Sequence, residues 1–120
     1  MKVSKEDTEP AIVVGKAYDL AKWVLPKVEK FPRSYRFSLG DRLVAGALDL
    51  LLLLVEAAYT SEKRSLLDAA NRKVNALRYL LRLAKDLRLL SLDSYEFASG
   101  QADEIGRMTG GWRKAAAAKA

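Results

Sequence analysis

The apolar positions Val13, Ala17, Leu20, Val24, Val28 and Phe31 step by four, three, four, four and three residues. That spacing is one face of an α-helix and predicts a first helix over about residues 10–31. Pro10 suits its first position, with Thr8 or Glu9 placed to cap it. Pro26 predicts a kink, because its ring crowds the Lys22 carbonyl and it has no N–H to donate. Ser38 and Asp41 are spaced as a capping box, with Asp in place of Glu, and open a second helix over residues 39–59. Ser61 is placed to cap a third over 62–90, and Asp93 with Glu96 a fourth over 93–113. The fourth repeats Tyr95, Ala98, Ala102, Ile105, Thr109 and Trp112 at helical spacing. No run alternates with the period of a strand. Four long helices joined by short loops predict an all-α, up-down-up-down four-helix bundle, a single domain over residues 1–120. The low-complexity tail, 114–120, either extends the fourth helix, frays or is foreign to the domain.

The second helix breaks the pattern. A bundle helix needs an apolar stripe of about three residues in seven. Here Leu50, Leu51, Leu52, Leu53 and Leu54 follow one another, with Val55 behind them. At about 100° per residue, five consecutive positions cover the whole circumference. A helix apolar all round must be buried on every side. Those leucines are therefore the expected contact between copies of the chain, making it a homo-oligomer. The alternative is a monomer in which this helix is simply the most enclosed of the four.

Charge adds a direction. The chain carries a formal net charge of +6 with a pI of about 9.7, a balance that suits polyanionic partners. Residues 61–91 hold eight basic and three acidic side chains, so nearly all of the excess belongs to the third helix. There Arg64, Asn71, Asn75, Arg78, Arg82 and Lys85 fall on one side, beside a core face of Ala70, Leu77, Leu81 and Ala84. Lys73 and Arg88 lie at its margins. Such a stripe can engage phosphates by charge and by paired hydrogen bonds without reading sequence. The competing reading is an ordinary solvated face.

Much chemistry is excluded by composition. With no cysteine and no histidine there is no thiol nucleophile, imidazole base, disulfide or Cys/His zinc site. Asp49 and Glu56, seven apart, are expected to pair with arginines across an interface. Glu96, Asp103 and Glu104 read as a cap residue and a solvated pair. Gly106-Arg107-Met108-Thr109-Gly110-Gly111 lacks the Lys-Ser/Thr of a phosphate loop; Gly106 and Gly110 are expected to admit close helix packing or to end the helix. The reading is a non-enzyme with no cofactor and no metal. The segment Met1–Glu9 has no apolar core of a signal peptide, and the uncharged stretches within Leu43–Tyr59 reach only six residues, against roughly 20 for a membrane span. The expected location is the cytoplasm.

Between the first two helices, Phe31, Tyr35 and Phe37 are placed to close the end of the bundle, with Pro32 stopping the first helix. Arg33, Arg36 and Arg42 add charge there, for subunit pairing or for a nucleic-acid contact. The stretch from Glu29 to Leu43, with Phe-Pro-Arg-Ser-Tyr-Arg-Phe at its centre, resembles the junction of the first two helices in the accessory variability determinant (Avd) proteins of diversity-generating retroelements. Further matches follow in Leu50-Leu51 through Val55-Glu56-Ala57, in Leu80 to Leu87, in Glu104 to Met108 and in Gly110-Gly111-Trp112. They extend over most of the chain, from Tyr18 to Trp112. Avd proteins are similar in turn to the four-helix-bundle proteins encoded in 23S rRNA intervening sequences.

The resemblance implies a basic, barrel-shaped homopentamer. It also implies two partners, the retroelement's reverse transcriptase and its template-repeat RNA, which together yield adenine-mutagenised cDNA. Leu52 departs from the polar residue expected at its position, and the Ala/Lys tail has no counterpart in the family. Two alternatives stand beside this reading. One is an rRNA intervening-sequence protein with no reverse transcriptase; the other is a purely structural oligomer whose charge gives only solubility.

Overall fold

The computed structural model describes residues 5–118. Four long helices carry the fold: α1 (Lys5–Glu29), α2 (Asp41–Ala58), α3 (Arg64–Asp86) and α4 (Leu92–Ala118). A single helical turn, Arg33–Tyr35, and a π-helical turn, Arg36–Gly40, join α1 to α2. Among the described residues there is no strand. Cross-helix pairs fix the directions. Lys16 meets Glu104, Trp23 meets Phe97 and Lys27 meets Ser94, so α1 and α4 run antiparallel. Asp49 with Lys73 and Gly46 beside Leu77 do the same for α2 and α3, and Arg78 with Asp103 and Lys85 with Tyr95 for α3 and α4. Each helix packs on its sequence neighbour and α4 closes on α1, which is the arrangement of an up-down-up-down bundle.

The core is the periodic face of each helix. Val13, Ala17, Leu20, Val24, Val28 and Phe31 are all buried, as their spacing predicts. Leu43, Ala47, Leu50, Leu54 and Ala57 come from α2; Leu67, Ala70, Val74, Leu77, Leu81 and Ala84 from α3; Ala98, Ala102, Ile105, Thr109 and Trp112 from α4. Tyr95 is half-buried against the same core. Each fully buried Leu or Ile stabilises the fold by about 1.5–3 kcal/mol relative to exposure.

The helix ends differ from the sequence expectations. α1 is under way by Lys5, so Thr8 and Glu9 are inside it and Pro10 is its sixth residue rather than its first. The missing N–H forgoes one backbone bond there, the one that would reach the carbonyl four residues before. α1 also continues unbroken through Pro26. Ser38 caps nothing; its hydroxyl donates back to the Ser34 and Tyr35 carbonyls, because the chain enters α2 directly from a π-helical turn. Before α3, Thr60 rather than Ser61 accepts an N–H, that of Glu62, and the helix starts at Arg64. It ends at Asp86, four residues early, where Arg88 turns left-handed at φ 61°. Ser91, not Asp93, caps α4: its hydroxyl accepts the Ser94 N–H at 3.1 Å. The tail extends α4 to Ala118, with Lys119 and Ala120 outside the described residues.

Candidate nucleic-acid interface

Because α3 buries Leu67, Ala70, Val74, Leu77, Leu81 and Ala84, its charged residues are confined to the flanks and the outward face. The predicted stripe divides there. Arg64 and Arg82 are exposed, and Arg82 comes no closer than 4.0 Å to Asp86, one turn ahead. Arg78 is engaged along the α3–α4 seam: its Nε–H donates to Asp103 and an Nη1–H to Asn75, both at 2.8 Å. Lys85 lies 3.4 Å from Asp86 and its ammonium sits 4.7 Å from the Tyr95 ring centroid. So the structure turns Arg78 and Lys85 towards α4 and leaves Arg64 and Arg82 facing water. The outward face proper is Arg72, Asn75, Tyr79 and Arg82, spaced three, four and three, all exposed. Arg72 and Tyr79 escape a reading centred on the arginine count. They would have been found by taking the side of the wheel opposite the core.

A second basic surface lies at the α1–α2 corner. Pro32 cannot continue α1, and its carbonyl accepts the N–H groups of both Tyr35 and Arg36 at about 3 Å, which starts the new turn. Arg33, Arg36 and Arg42 are exposed, and among the described residues none of them forms an ion pair. Phe31 is buried and Tyr35 half-buried, so these two close the bundle end. Phe37 does not. It is 66% exposed, because the π-helical turn rotates it away from the core. The turn fits tightly: a Cβ on Gly40 would stand 2.7 Å from Val28 Cγ1 and 3.3 Å from the Tyr35 carbonyl oxygen.

The leucine run resolves by burial. Leu50 and Leu54 have no more than 1% of their surface exposed within the single chain, so they belong to its core and cannot touch another copy. Leu51 and Leu53 are half-buried, while Leu52 is 62% exposed and Leu48 37%. The five leucines thus do two jobs, and the outward one falls to Leu52, with Leu48 one turn before it. Asp49 pairs with Lys73 of the same chain at 3.3 Å, not with an arginine across an interface, since the α2–α3 seam brings the lysine past it. Glu56 is exposed and joins no ion pair among the described residues.

Gly106 admits a close approach, since a Cβ there would meet Arg78 Nη2 at 2.8 Å and Val74 Cγ1 at 3.2 Å. Gly110 has no such neighbour, and α4 runs past it. Among the described residues no three Asp or Glu side chains converge as a metal site requires, and no helix is long and apolar enough to cross a membrane.

The sequence pattern of the bAvd-like family matches residues 11–116, which takes in the corner and nearly all of the four helices. The chain belongs to the bAvd-like family. No individual curated protein matches it. Both basic surfaces of this bAvd-like chain, the outward face of α3 and the α1–α2 corner, fall inside the matched span.

Proposed function

We propose that this bAvd-like chain is a non-catalytic accessory protein of a diversity-generating retroelement, binding the reverse transcriptase and the template-repeat RNA in the cytoplasm to support mutagenic cDNA synthesis. The family match over residues 11–116 is the observation that carries this reading. The arrangement of charge supports it. Arginines at 33, 36, 42, 64 and 72 have no carboxylate partner among the described residues and are free to take phosphates. The exposed leucines of α2 support it too. An outward Leu48–Leu52 strip on a water-facing helix suits a homo-oligomer, the pentamer that the resemblance implies, and repetition around a ring adds the positive potentials.

The test is co-purification of the tagged chain with the reverse transcriptase encoded beside it and the template RNA, followed by cDNA synthesis with and without the chain. A ternary complex and cDNA that depends on the chain are the expected results. An oligomer that captures neither partner, and whose affinity for RNA is the same at low and moderate salt, would leave only a structural role.

A further inference from the structure

We infer that the π-helical turn at the α1–α2 corner is a stacking site for an unpaired base of single-stranded RNA, with Phe37 as the platform and Arg36 and Arg33 as the phosphate-binding groups; this rests on the RNA-binding reading above. The first observation is an aromatic side chain with no structural work to do. Phe37 is 66% exposed, whereas its neighbours Phe31 and Tyr35 close the bundle. The cation that the chain places near its ring is the Arg36 guanidinium, 6.0 Å from the centroid.

The second observation is rigidity. The Pro32 carbonyl accepts the Tyr35 and Arg36 N–H groups, and the Ser38 hydroxyl donates to the Ser34 and Tyr35 carbonyls. Gly40 then seats the turn against Val28 with no room for a methyl group. Arg36 is steadied as well, donating an Nη2–H to the Phe31 carbonyl at 3.4 Å while the rest of its guanidinium stays exposed. A turn held this way loses little backbone freedom on binding. Interruptions of α-helical geometry by π-turns recur at functional sites.

Charge selects the occupant. The corner segment that carries Phe37 holds Lys30, Arg33, Arg36 and Arg42 against Glu29 and Asp41, and no ion pair among the described residues joins any of them. A flat apolar face in a basic segment, with the Arg36 guanidinium beside it, fits a nucleobase with its phosphates better than an apolar peptide. Base–aromatic stacking accepts any base, because every base has a π-face. It requires that the base be unpaired, because bases in an RNA duplex are already stacked and their faces covered.

The experiment is fluorescence anisotropy on the full chain with two labelled probes, an oligo(rA) single strand of roughly twelve nucleotides and an RNA duplex of the same length. Phe37→Ala weakens the single strand by at least about fivefold and leaves the duplex within about twofold. Phe37→Trp retains single-strand affinity. Phe37→Leu keeps apolar bulk without a π-face and behaves as Phe37→Ala does. The salt slope separates the two parts of the site. It is unchanged in Phe37→Ala, and in Arg33→Ala or Arg36→Ala it falls by about 0.7 for each phosphate left without its arginine. Circular dichroism and sizing accompany every variant. Unaltered single-strand affinity in Phe37→Ala overturns the inference, as does an equal drop on both probes or full affinity in Phe37→Leu. A Phe37→Ala chain that binds RNA normally yet no longer captures the reverse transcriptase makes the turn a protein-binding surface instead. If the unaltered chain binds neither probe, the RNA-binding reading fails with it.

Discussion

The Arg78 guanidinium reaches from α3 to the Asp103 carboxylate of α4, with 2.8 Å between Nε and Oδ1, and in doing so lies across Gly106. Arg78 is therefore a strut between two helices, whereas Arg82, one turn on, projects into solvent. The two should separate on mutation. Arg78→Glu places a second carboxylate beside Asp103 and lowers stability by about 1 kcal/mol. The double change Arg72→Glu, Arg82→Glu alters stability by less than about 0.5 kcal/mol. It nonetheless lowers RNA affinity and flattens the dependence of log affinity on log salt. Urea unfolding and a salt titration, run on both variants, check this. Equal destabilisation of the two would mean that the outward face of α3 is buried in the assembly.

Leu52 and Leu54 are two residues apart and on opposite sides of α2, at 62% and 0% exposure. Leu54→Ala opens a cavity in a packed interior and costs about 2–5 kcal/mol. Leu52→Glu leaves the interior of the chain untouched. It is expected to give a monomer of native helicity where the parent is an oligomer, read by light scattering and circular dichroism. An oligomer that survives Leu52→Glu would move the subunit interface off α2.

Thr109 is fully buried, and its Oγ1 has no hydrogen-bond partner. An unmet hydroxyl in an apolar interior costs about 1–3 kcal/mol. Valine has nearly the same shape and carries no polar atom there, so Thr109→Val is expected to raise stability by about 1 kcal/mol. The midpoint of urea unfolding measures it. A lower midpoint would show the hydroxyl to be satisfied in solution.

How far the sequence speaks depends on what a residue's role is set by. Thr109 illustrates the strong case: its place in the core follows from the step between Ile105 and Trp112, although a hydroxyl gives no hint of burial. Periodicity is a property of the helix itself, so Val13, Ala17, Leu20, Val24 and Val28 of α1 are readable in the same way. The leucine run is the weak case. Consecutive apolar residues carry no directional signal, and only Leu43, Ala47 and Ala57 on either side select Leu50 and Leu54 as the inward pair. Caps are legible as a class and not by residue, since Ser91 and Asp93 both bear suitable oxygens and the start of α4 at Leu92 decides between them. The π-helical turn has no sequence signature at all. It rotates Phe37 outward, and three aromatics that look alike in sequence part company there.

Arg88 offers a test of the fold that is independent of every binding claim. It has φ 61°, alone among the described non-glycine residues in lying at positive φ. Its surroundings explain why it stays there. The Arg88 N–H donates to the Lys85 carbonyl at 2.9 Å and the Leu89 N–H to the Ala84 carbonyl at 2.8 Å, a paired closure of the C-terminus of α3. Leu90 is then buried, so the chain must reverse at this residue to carry it into the core. An L-residue with a Cβ is held there at a cost of about 1–2 kcal/mol. Glycine has no such cost but loses more backbone freedom on folding, by about 0.5–1 kcal/mol. Arg88→Gly also gives up a modest charge–dipole contribution at an exposed helix end, about 0.3 kcal/mol. The net expectation is a gain of up to about 1 kcal/mol, seen as a higher urea midpoint with unchanged slope. Arg88→Pro is the opposing control, because a ring fixed near about −65° cannot adopt this angle and has no N–H for Lys85. A Pro variant as stable as the parent would mean that α3 does not end in this left-handed turn.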